Sequence, residues 1–205
     1  CGILEAKREG TNLGEVVGQS RRYAVSRTKH IERWMDRLPI TLLCCDRNQR
    51  YATANNLARR YASGSVLVFA NNDIVFDEPL VPLLAAALSD PDAGLAGVPL
   101  YYPEDGGARG AQLQHAGIRF AWDATFGFMR PFNVKTLDPG EDGPVEEAAA
   151  VTTALAACRA EDFDAVGGFV EDYDYGFEDV ELGLALRFDF GRRNLLLRGA
   201  GAVHT

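Results

Sequence analysis

The residues Asn71-Asn72-Asp73 directly follow an apolar run at 65–70 and could take part in metal binding. Open α/β sheets bind their ligands beyond the carboxyl ends of the strands, where such a turn would lie. A hard divalent cation on a diphosphate takes one or two protein carboxylates, and phosphate and water oxygens complete its shell. The pattern therefore predicts a metal–diphosphate site at Asp73, with a solvated Asn/Asp-rich turn as the alternative.

A pair of carboxylates, Glu178-Asp179, stands at the predicted start of a helix. The positive end of the helix favours the ionised form of both side chains. An ionised carboxylate at the rim of a pocket can accept a proton from an attacking hydroxyl group. The pair is therefore a candidate general base, and ordinary charging of a helix start is the alternative.

Two histidines have chemistry that suits such a site. His204 follows a strand-like segment, and as a neutral imidazole it could complete a metal site with Asp73. His115, within Gln114-His115-Ala116-Gly117, is a second candidate of the same kind. For both residues a purely structural role is the alternative.

The elements that must position these residues alternate between apolar runs and periodic segments, which is typical of an α/β protein. Strands are predicted at 40–45, 65–70, 93–100, 148–158, 194–197 and 202–204, and helices at 15–38, 51–63, 79–89, 160–166 and 178–188. Residues 112–121 are predicted to form an edge strand. The stretch 130–146, with its prolines and glycines, is predicted to be an irregular loop that could act as a flap.

Length and charge limit the possible functions. The 205 residues suit one domain with a full core, and the composition is that of a globular protein. The formal net charge is −8, but residues 1–60 carry +6 and residues 61–205 carry −14. An acidic body repels phosphates, which disfavours nucleic acid as a partner. The uneven split suggests two faces or two pieces of different origin.

The cysteines and apolar runs indicate the compartment. No apolar run approaches the roughly 18 residues of a transmembrane helix, and charged residues at 5–9 interrupt any signal-peptide core. The adjacent Cys44 and Cys45 lie in a strand-like run, which favours buried free thiols over a disulfide or a zinc site. A cytoplasmic location without a transmembrane segment is predicted.

Four segments, taken in chain order, resemble the family 2 glycosyltransferases, which have the GT-A fold. The first is Asn48-Gln49-Arg50-Tyr51-Ala52-Thr53-Ala54-Asn55-Asn56, which is similar to the family's N-x-G-[FY]-x-x-A-x-N segment. The second, residues 62–73, is similar to the A-x-G-x-x-[LIV]-x-F-L-N-x-D strand that ends in the metal-binding motif. The third covers residues 151–182, including Gly167-Gly168-Phe169 and Glu178-Asp179, and the fourth is the closing Val203-His204.

The resemblance implies an α/β, GT-A-like fold in which a mostly parallel, Rossmann-like sheet lacks its first strands and is flanked by helices. It also implies an inverting, metal-dependent transferase of the hexosyltransferase type. Such an enzyme moves a sugar from a nucleotide-diphosphate donor to a hydroxyl group of a saccharide or lipid-linked acceptor, in polysaccharide or glycoconjugate synthesis.

The resemblance assigns roles to eight residues. Asp73 would bind Mg²⁺ or Mn²⁺, with His204 as a further ligand. Asp179 would be the general base, with Glu178 as the second candidate. The residues that would shape the donor pocket are Asn48, Asn55, Asn71 and Gly168.

The chain departs from the family pattern near its start. The P-x-[YR]-N and D-[ND]-x-S-x-D segments that hold the nucleotide base are not found in residues 1–27, Arg50 stands at a usual glycine, and Asn71 replaces the first Asp of the metal motif. The predicted division is a segment of uncertain origin at 1–27 and a glycosyltransferase-like domain at 28–205. These departures motivate an alternative function, a catalytically incomplete remnant that binds a sugar or a partner.

Residues 1–24 resemble another family, the PD-(D/E)xK nuclease domain of type I restriction subunits. Glu5, Lys7 and Gln19 stand at its motif positions. A strand that ends in Glu-x-Lys can present a carboxylate for Mg²⁺ and an ammonium group for a water or a phosphate. The same three letters occur by chance in many strands, so a nuclease-related fragment is the third hypothesis.

Overall fold

The computed structural model describes residues 2–3, 41–43, 45–104, 108–137, 144–173 and 176–205. The chain divides into two compact units, residues 1–63 and 64–205, and each is described by itself. The predicted helix at 15–38 and the predicted boundary between residues 27 and 28 lie outside the described residues and stay predictions.

In the first unit, strands β1 (Gly2–Ile3) and β2 (Thr41–Leu42) pair in parallel. Helix α1 (Tyr51–Arg59) follows and buries the small side chains Ala52 and Ala54. It ends earlier than predicted because three successive i→i−3 hydrogen bonds tighten the chain over residues 57–62.

The second unit contains a five-stranded sheet. In spatial order its strands are β10 (Val145–Ala148), β12 (Arg193–Leu197), β5 (Ala93–Gly97), β11 (Leu155–Arg159) and β3 (Val66–Ala70). Of the pairings described in this sheet, only that of β12 with β5 is parallel. The prediction of a mostly parallel sheet is therefore wrong for these strands, because β11 lies antiparallel between β5 and β3. Apolar patterning predicts burial but does not fix strand direction.

The second unit also contains a four-stranded sheet. Its order is β4 (Ile74–Val75), β13 (Ala202–His204), β6 (Leu100–Pro103) and β7 (Arg109–His115). The β4–β13 pair is antiparallel and the β13–β6 pair is parallel. The short β4 thus joins the turn after β3 to the last strand of the printed sequence.

A two-stranded antiparallel hairpin, β8 (Ile118–Asp123) and β9 (Phe128–Asn133), follows β7. The single edge strand predicted at 112–121 is instead the end of β7 and the start of β8. The loop predicted at 130–146 begins inside β9 and ends inside β10. Strand β9 was not predicted because it contains Pro131, and proline usually argues against a strand. Proline is tolerated here because each strand of a two-stranded ribbon has a free edge.

Three helices cover the second unit: α2 (Leu80–Ala87), α3 (Ala160–Ala165) and α4 (Glu178–Phe188). Leu80, Leu84 and Leu88 recur every four residues and pack into one apolar cluster with residues of β5, β11 and β12. No helix in the described part of the chain combines the length and apolar character that a membrane span requires.

Asn194 is a fully buried polar side chain within β12. Its Oδ1 accepts a hydrogen bond from the backbone N–H of Leu95 at 3.1 Å, and its Nδ2 donates to the carbonyls of Ala149 at 2.7 Å and Gly183 at 2.8 Å. One side chain therefore ties β5, the segment before β11 and helix α4 together.

Asn194→Leu is expected to lower the free energy of unfolding by roughly 3 kcal/mol, because it leaves three buried backbone groups without this partner. The measurement is urea unfolding followed by circular dichroism, with an unchanged denaturant slope. Gln112→Ala, at an exposed position of β7, is the control and should change the free energy by less than about 0.5 kcal/mol. A loss below about 1 kcal/mol for Asn194→Leu would show that the tie is dispensable.

Candidate functional site

Strand pairing brings Asp73 and His204 together from distant parts of the sequence. Asp73 closes the turn between β3 and β4, and His204 pairs with Ile74 in the β4–β13 ladder. Thr205 fixes the same turn, since its backbone N–H and its hydroxyl lie 3.1 and 3.2 Å from the carbonyl oxygen of Asp73. The predicted proximity of Asp73 and His204 is thus present in the structure.

The side chains of Asp73 and His204 face each other at hydrogen-bonding distance. His204 Nε2 lies 3.2 Å from Asp73 Oδ1, yet this buried oxygen makes no hydrogen bond with any described residue. His204 Nδ1 lies 2.5 Å from Gln114 Oε1, and because an amide oxygen can only accept, this contact favours a proton on Nδ1. In the neutral tautomer with its proton on Nδ1, the lone pair of Nε2 would face Asp73 Oδ1 in a partly buried place, which is unfavourable unless a cation or a second ring proton lies between the two atoms.

The chemistry of this donor pair suits a divalent cation. Two neighbouring ligands of an octahedral ion with bonds of about 2.1 Å stand roughly 3 Å apart, close to the separation found here. A metal-binding imidazole commonly donates its other N–H to an oxygen, as His204 does to Gln114. Among the described residues, no group of three or more His, Cys, Asp or Glu side chains forms a metal cluster. Asp73 and His204 would supply two ligands, and diphosphate and water oxygens could fill the other positions.

A strained turn presents the carboxylate pair at the start of α4. Gly176 and Phe177 both adopt positive φ, and Phe177 (φ 73°) is the one described non-glycine residue to do so. A bulky residue in this conformation costs free energy, and such strain is concentrated at functional sites. The half-buried Glu178 and Asp179 follow directly, and Asp179 Oδ1 accepts a hydrogen bond from the backbone N–H of Val180 at 2.8 Å.

Burial raises the pKa of the Glu178 carboxyl above its ordinary value of 4.5, and the neighbouring Asp179 charge adds to this increase. The carboxylate of Glu178 is therefore a stronger base than a solvated glutamate. Glu178 is thus the carboxylate of this pair whose burial makes proton uptake easier.

Glu178→Gln is expected to raise the melting temperature at pH 8 but not at pH 4. The pKa of Glu178 is higher in the folded than in the unfolded chain. Once the pH rises above about 4.5, the folded state therefore holds more bound protons than the unfolded state does. Stability is therefore lost through that window and stays lower above it. Differential scanning calorimetry of both proteins at several pH values measures the effect. Glu161→Gln, an exposed carboxylate at the start of α3, is the control, and a pH-independent difference for Glu178→Gln would refute this origin.

His115 is buried, with 2% of its surface exposed, and both ring nitrogens have partners. Nε2 accepts a hydrogen bond from the backbone N–H of Thr152 at 3.2 Å, so Nδ1 donates to Asn133 Oδ1 at 2.9 Å. Desolvation lowers the pKa of His115; the charge of Asp179 opposes this decrease and that of His204 adds to it. His115 is thus a neutral residue held near both candidate groups.

Asn71 and Gly168 have defined backbone roles. The N–H of Asn71 donates to the carbonyl of Ala154 at 2.8 Å, which fixes the start of the turn that carries Asp73. Gly167 and Gly168 both have positive φ and end α3, and the N–H of Gly168 bonds the carbonyl of Phe163. The need for positive φ at the end of α3 explains why glycines stand at both positions. A sugar-binding role of Gly168 stays a prediction.

The other predicted residues belong to the first unit. Asn48 is exposed, and Asn55 Nδ2 donates to the carbonyl of Tyr51 at 2.9 Å, within its own helix. Their assignment to a donor pocket stays a prediction. Glu5, Lys7 and Gln19 lie outside the described residues, and so does the nuclease resemblance that depends on them.

Sequence reasoning did not assign a role to Gln114 or Phe177. Gln114 lies on β7, and its side chain reaches across β6 to His204. Its position next to the candidate His115 was the available signal, but the contact depends on sheet order. Phe177 was part of a recognised acidic-aromatic stretch, whereas its left-handed conformation is visible only in three dimensions.

Comparison with known sequences identifies relatives. The family model described as "Glycosyl transferase family 2" matches residues 25–145. The O-antigen biosynthesis protein RfbC of Myxococcus xanthus is 32% identical over 160 residues, which are 76% of this chain and 12% of RfbC. The uncharacterized protein y4gI of Sinorhizobium fredii (strain NBRC 101917 / NGR234) is 29% identical over 146 residues, 67% of this chain and 15% of y4gI. The chain therefore spans a small part of the length of these relatives.

Comparison with solved structures supports the fold. GalNAc-T7 with UDP, GalNAc and Mn²⁺ has a TM-score of 0.62 at 15% identity, covering 90% of this chain and 35% of that one. The mannosyltransferase PcManGT of Pyrobaculum calidifontis, in complex with GDP-Man and Mn²⁺, has a TM-score of 0.51 at 18% identity, covering 85% and 43%. At such identities the likeness concerns the fold alone, and it confirms the predicted α/β, GT-A-like class.

Proposed function

Because the chain belongs to glycosyl transferase family 2, we propose that it transfers a sugar from a nucleotide-diphosphate donor to an acceptor hydroxyl group. The single observation that carries this proposal is the 3.2 Å contact of His204 Nε2 with Asp73 Oδ1 at the end of β3, where this buried oxygen has no hydrogen-bond partner among the described residues. Two similar folds are known in complex with a nucleotide or nucleotide sugar and Mn²⁺, which supports the same class of donor here.

Asp73 and His204 are the residues that would hold the cation, and Gln114 would keep the imidazole in its metal-binding tautomer. Of the two predicted ions, Mn²⁺ suits the site better, because Mg²⁺ prefers oxygen ligands throughout. The bound cation would offset negative charge on the departing nucleoside diphosphate.

Asp179 is the proposed general base, and Glu178 is the second candidate. The carboxylate takes the proton of the acceptor hydroxyl, whose oxygen forms a bond to the anomeric carbon of the donor sugar. The bond from that carbon to the diphosphate oxygen breaks, and the electron pair leaves with the nucleoside diphosphate. Attack opposite the leaving group inverts the anomeric configuration, and the carboxylate must therefore lie on the acceptor side.

Asn71 and Gly168 remain proposed to shape the donor pocket, and a donor-binding role of Asn48 and Asn55 in the first unit stays a prediction. The backbone of Asn71 adjoins the candidate cation ligand Asp73 in the same turn, which supports its place there. The binding-only remnant is less well supported, since the cation pair and the carboxylates of α4 are both retained despite Arg50 and Asn71.

The test measures nucleotide binding and donor hydrolysis by the 205-residue protein. UDP, GDP and a panel of their sugars are titrated calorimetrically with Mn²⁺, with Mg²⁺ and with EDTA, and release of the nucleoside diphosphate is followed by chromatography. Mn²⁺-dependent binding and slow donor hydrolysis, both lost in EDTA, are expected. Binding without hydrolysis would favour the remnant, and neither binding nor hydrolysis across the panel would overturn the proposal.

A further inference from the structure

The hairpin β8–β9 has two faces of different chemistry. In its register Ile118 pairs with Asn133, Phe120 with Pro131 and Trp122 with Met129, and these three pairs share one face because side chains alternate along a strand. This face, called the Trp122 face below, carries no charged residue. The opposite face holds the remaining pairs, namely Arg119 with Phe132, Ala121 with Arg130, and Asp123 with Phe128.

The Trp122 face is buried at its base and exposed at its outer end. Ile118 is in a buried cluster with Val180, the residue after Asp179, and Phe120 packs against the same cluster. Farther out, the side chains of Trp122 and Met129 are 64% and 51% exposed. A continuous uncharged surface therefore leads outward from the start of α4 along the hairpin.

Charged groups on the opposite face have partners of their own. Arg119 pairs with Glu146 at 2.8 Å, and Arg130 pairs with Asp123 at 2.8 Å. The guanidinium of Arg130 also lies over the ring of Phe126, 5.2 Å from its centroid. These arginines are thus engaged with carboxylates, which weakens any attraction of the hairpin for an anionic membrane or a polyanion.

The base of the hairpin is tied to the candidate site. His115 bonds Asn133 at the end of β9, and the backbone N–H groups of Ala116 and Val134 donate to Val134 and Gly117, respectively. Ile118 also bridges to Ala150. The hairpin therefore begins beside the start of α4, which carries Asp179.

We propose that the Trp122 face binds the acceptor as a neutral saccharide chain and directs its terminal hydroxyl group toward Asp179. This inference rests on the proposed function. An aromatic ring offers a flat apolar surface for the C–H face of a sugar, and the indole N–H can donate to a hydroxyl group. An uncharged surface suits an uncharged polyhydroxylated ligand, because no buried charge is left unpaired on either side.

The length of the hairpin limits which acceptors can contact Trp122. Trp122 lies four residues beyond Ile118, about 13 Å along the strand, so a single sugar ring beside Ile118 is too short to reach it. The contribution of Trp122 should therefore appear only with acceptors of several sugars.

The first experiment separates acceptor binding from donor chemistry. Wild type, Trp122→Ala and Phe132→Ala are compared on an array of neutral mono- to hexasaccharides and, in parallel, for Mn²⁺-dependent donor hydrolysis. Phe132→Ala is the matched control, since its exposed aromatic ring lies on the opposite face of the same hairpin. Trp122→Ala should weaken oligosaccharide binding roughly threefold to tenfold, with monosaccharide binding and hydrolysis unchanged, and Phe132→Ala should change none of the three.

The second experiment uses Trp122 as its own reporter. The chain has two tryptophans, Trp34 and Trp122, so Trp34→Phe leaves Trp122 as the sole source of tryptophan emission. Oligosaccharides that bind in the first experiment should shift this emission, and vesicles of phosphatidylcholine with polyprenyl phosphate should not. A shift with vesicles alone would overturn the saccharide assignment in favour of a lipid-linked acceptor.

Other outcomes also decide the matter. Equal losses in Trp122→Ala and Phe132→Ala, or no loss in either, would overturn the inference. If the wild type hydrolyses its donor but binds no oligosaccharide, the inference fails and the proposed function stands. If it binds oligosaccharides through Trp122 but neither binds nor hydrolyses any nucleotide sugar, the saccharide surface stands and the proposed function fails.

Discussion

Asp179→Asn is expected to lower the turnover number for sugar transfer by about 10²- to 10⁴-fold, the usual contribution of a positioned general base. The amide has the size of the carboxylate and can still accept the hydrogen bond from Val180, but it cannot take the proton of the acceptor hydroxyl. Mn²⁺-dependent nucleotide binding and the melting temperature should stay unchanged. Initial transfer rates at saturating donor, with calorimetry of nucleotide binding, give both quantities.

Glu181→Gln is the matched control for this prediction. It neutralises another carboxylate in the first turn of α4, one whose Oε2 accepts a long hydrogen bond from the Tyr173 hydroxyl, and it should leave transfer within about twofold, in line with a surface substitution. Glu178→Gln decides between the two candidates, since the base is the residue whose neutralisation causes the larger loss. Full activity of both Asp179→Asn and Glu178→Gln would contradict a base on α4.

The predictable parts of the fold are those governed by local chemistry. Helix α4 occupies the predicted span Glu178–Phe188, and α3 ends at the predicted glycines because they adopt positive φ. The hairpin was missed because its faces alternate weakly and Pro131 interrupts β9. The direction of β11 could not be predicted either, since a buried strand has the same apolar pattern in a parallel and in an antiparallel position.

The candidate site also has a part that was predictable from sequence and a part that was not. The residue types at Asp73 and His204 and their family resemblance predicted a shared cation site, and the β4–β13 ladder accounts for their proximity. The contact of Gln114 with His204 depends on the order of three strands, which no local pattern encodes. The anchoring of the hairpin by His115 is likewise a property of tertiary structure. Local sequence thus predicted the candidate reacting groups, whereas the residues that contact and orient them are visible only in the fold.

Asp73→Ala is expected to weaken Mn²⁺-dependent nucleotide binding by more than about 100-fold, because it removes one of the two proposed protein ligands. Gln114→Leu, which removes only the partner of His204 Nδ1, should weaken it by about 10- to 100-fold, the range for groups that orient a ligand. Calorimetry of UDP or GDP binding at fixed Mn²⁺ measures both effects, and Mn²⁺ titration by electron paramagnetic resonance checks the ion directly. Asn72→Ala, exposed in the same turn, is the control.

These variants also separate a cation site from a simple ion pair between Asp73 and a protonated His204. An ion pair contributes to folding, so its loss would lower the melting temperature equally with and without Mn²⁺. A cation site contributes through binding, so Mn²⁺ with nucleotide should raise the melting temperature of the wild type and not that of Asp73→Ala. If Mn²⁺ stabilises Asp73→Ala as much as the wild type, the 3.2 Å contact is structural, and the cation must be held by residues other than this pair.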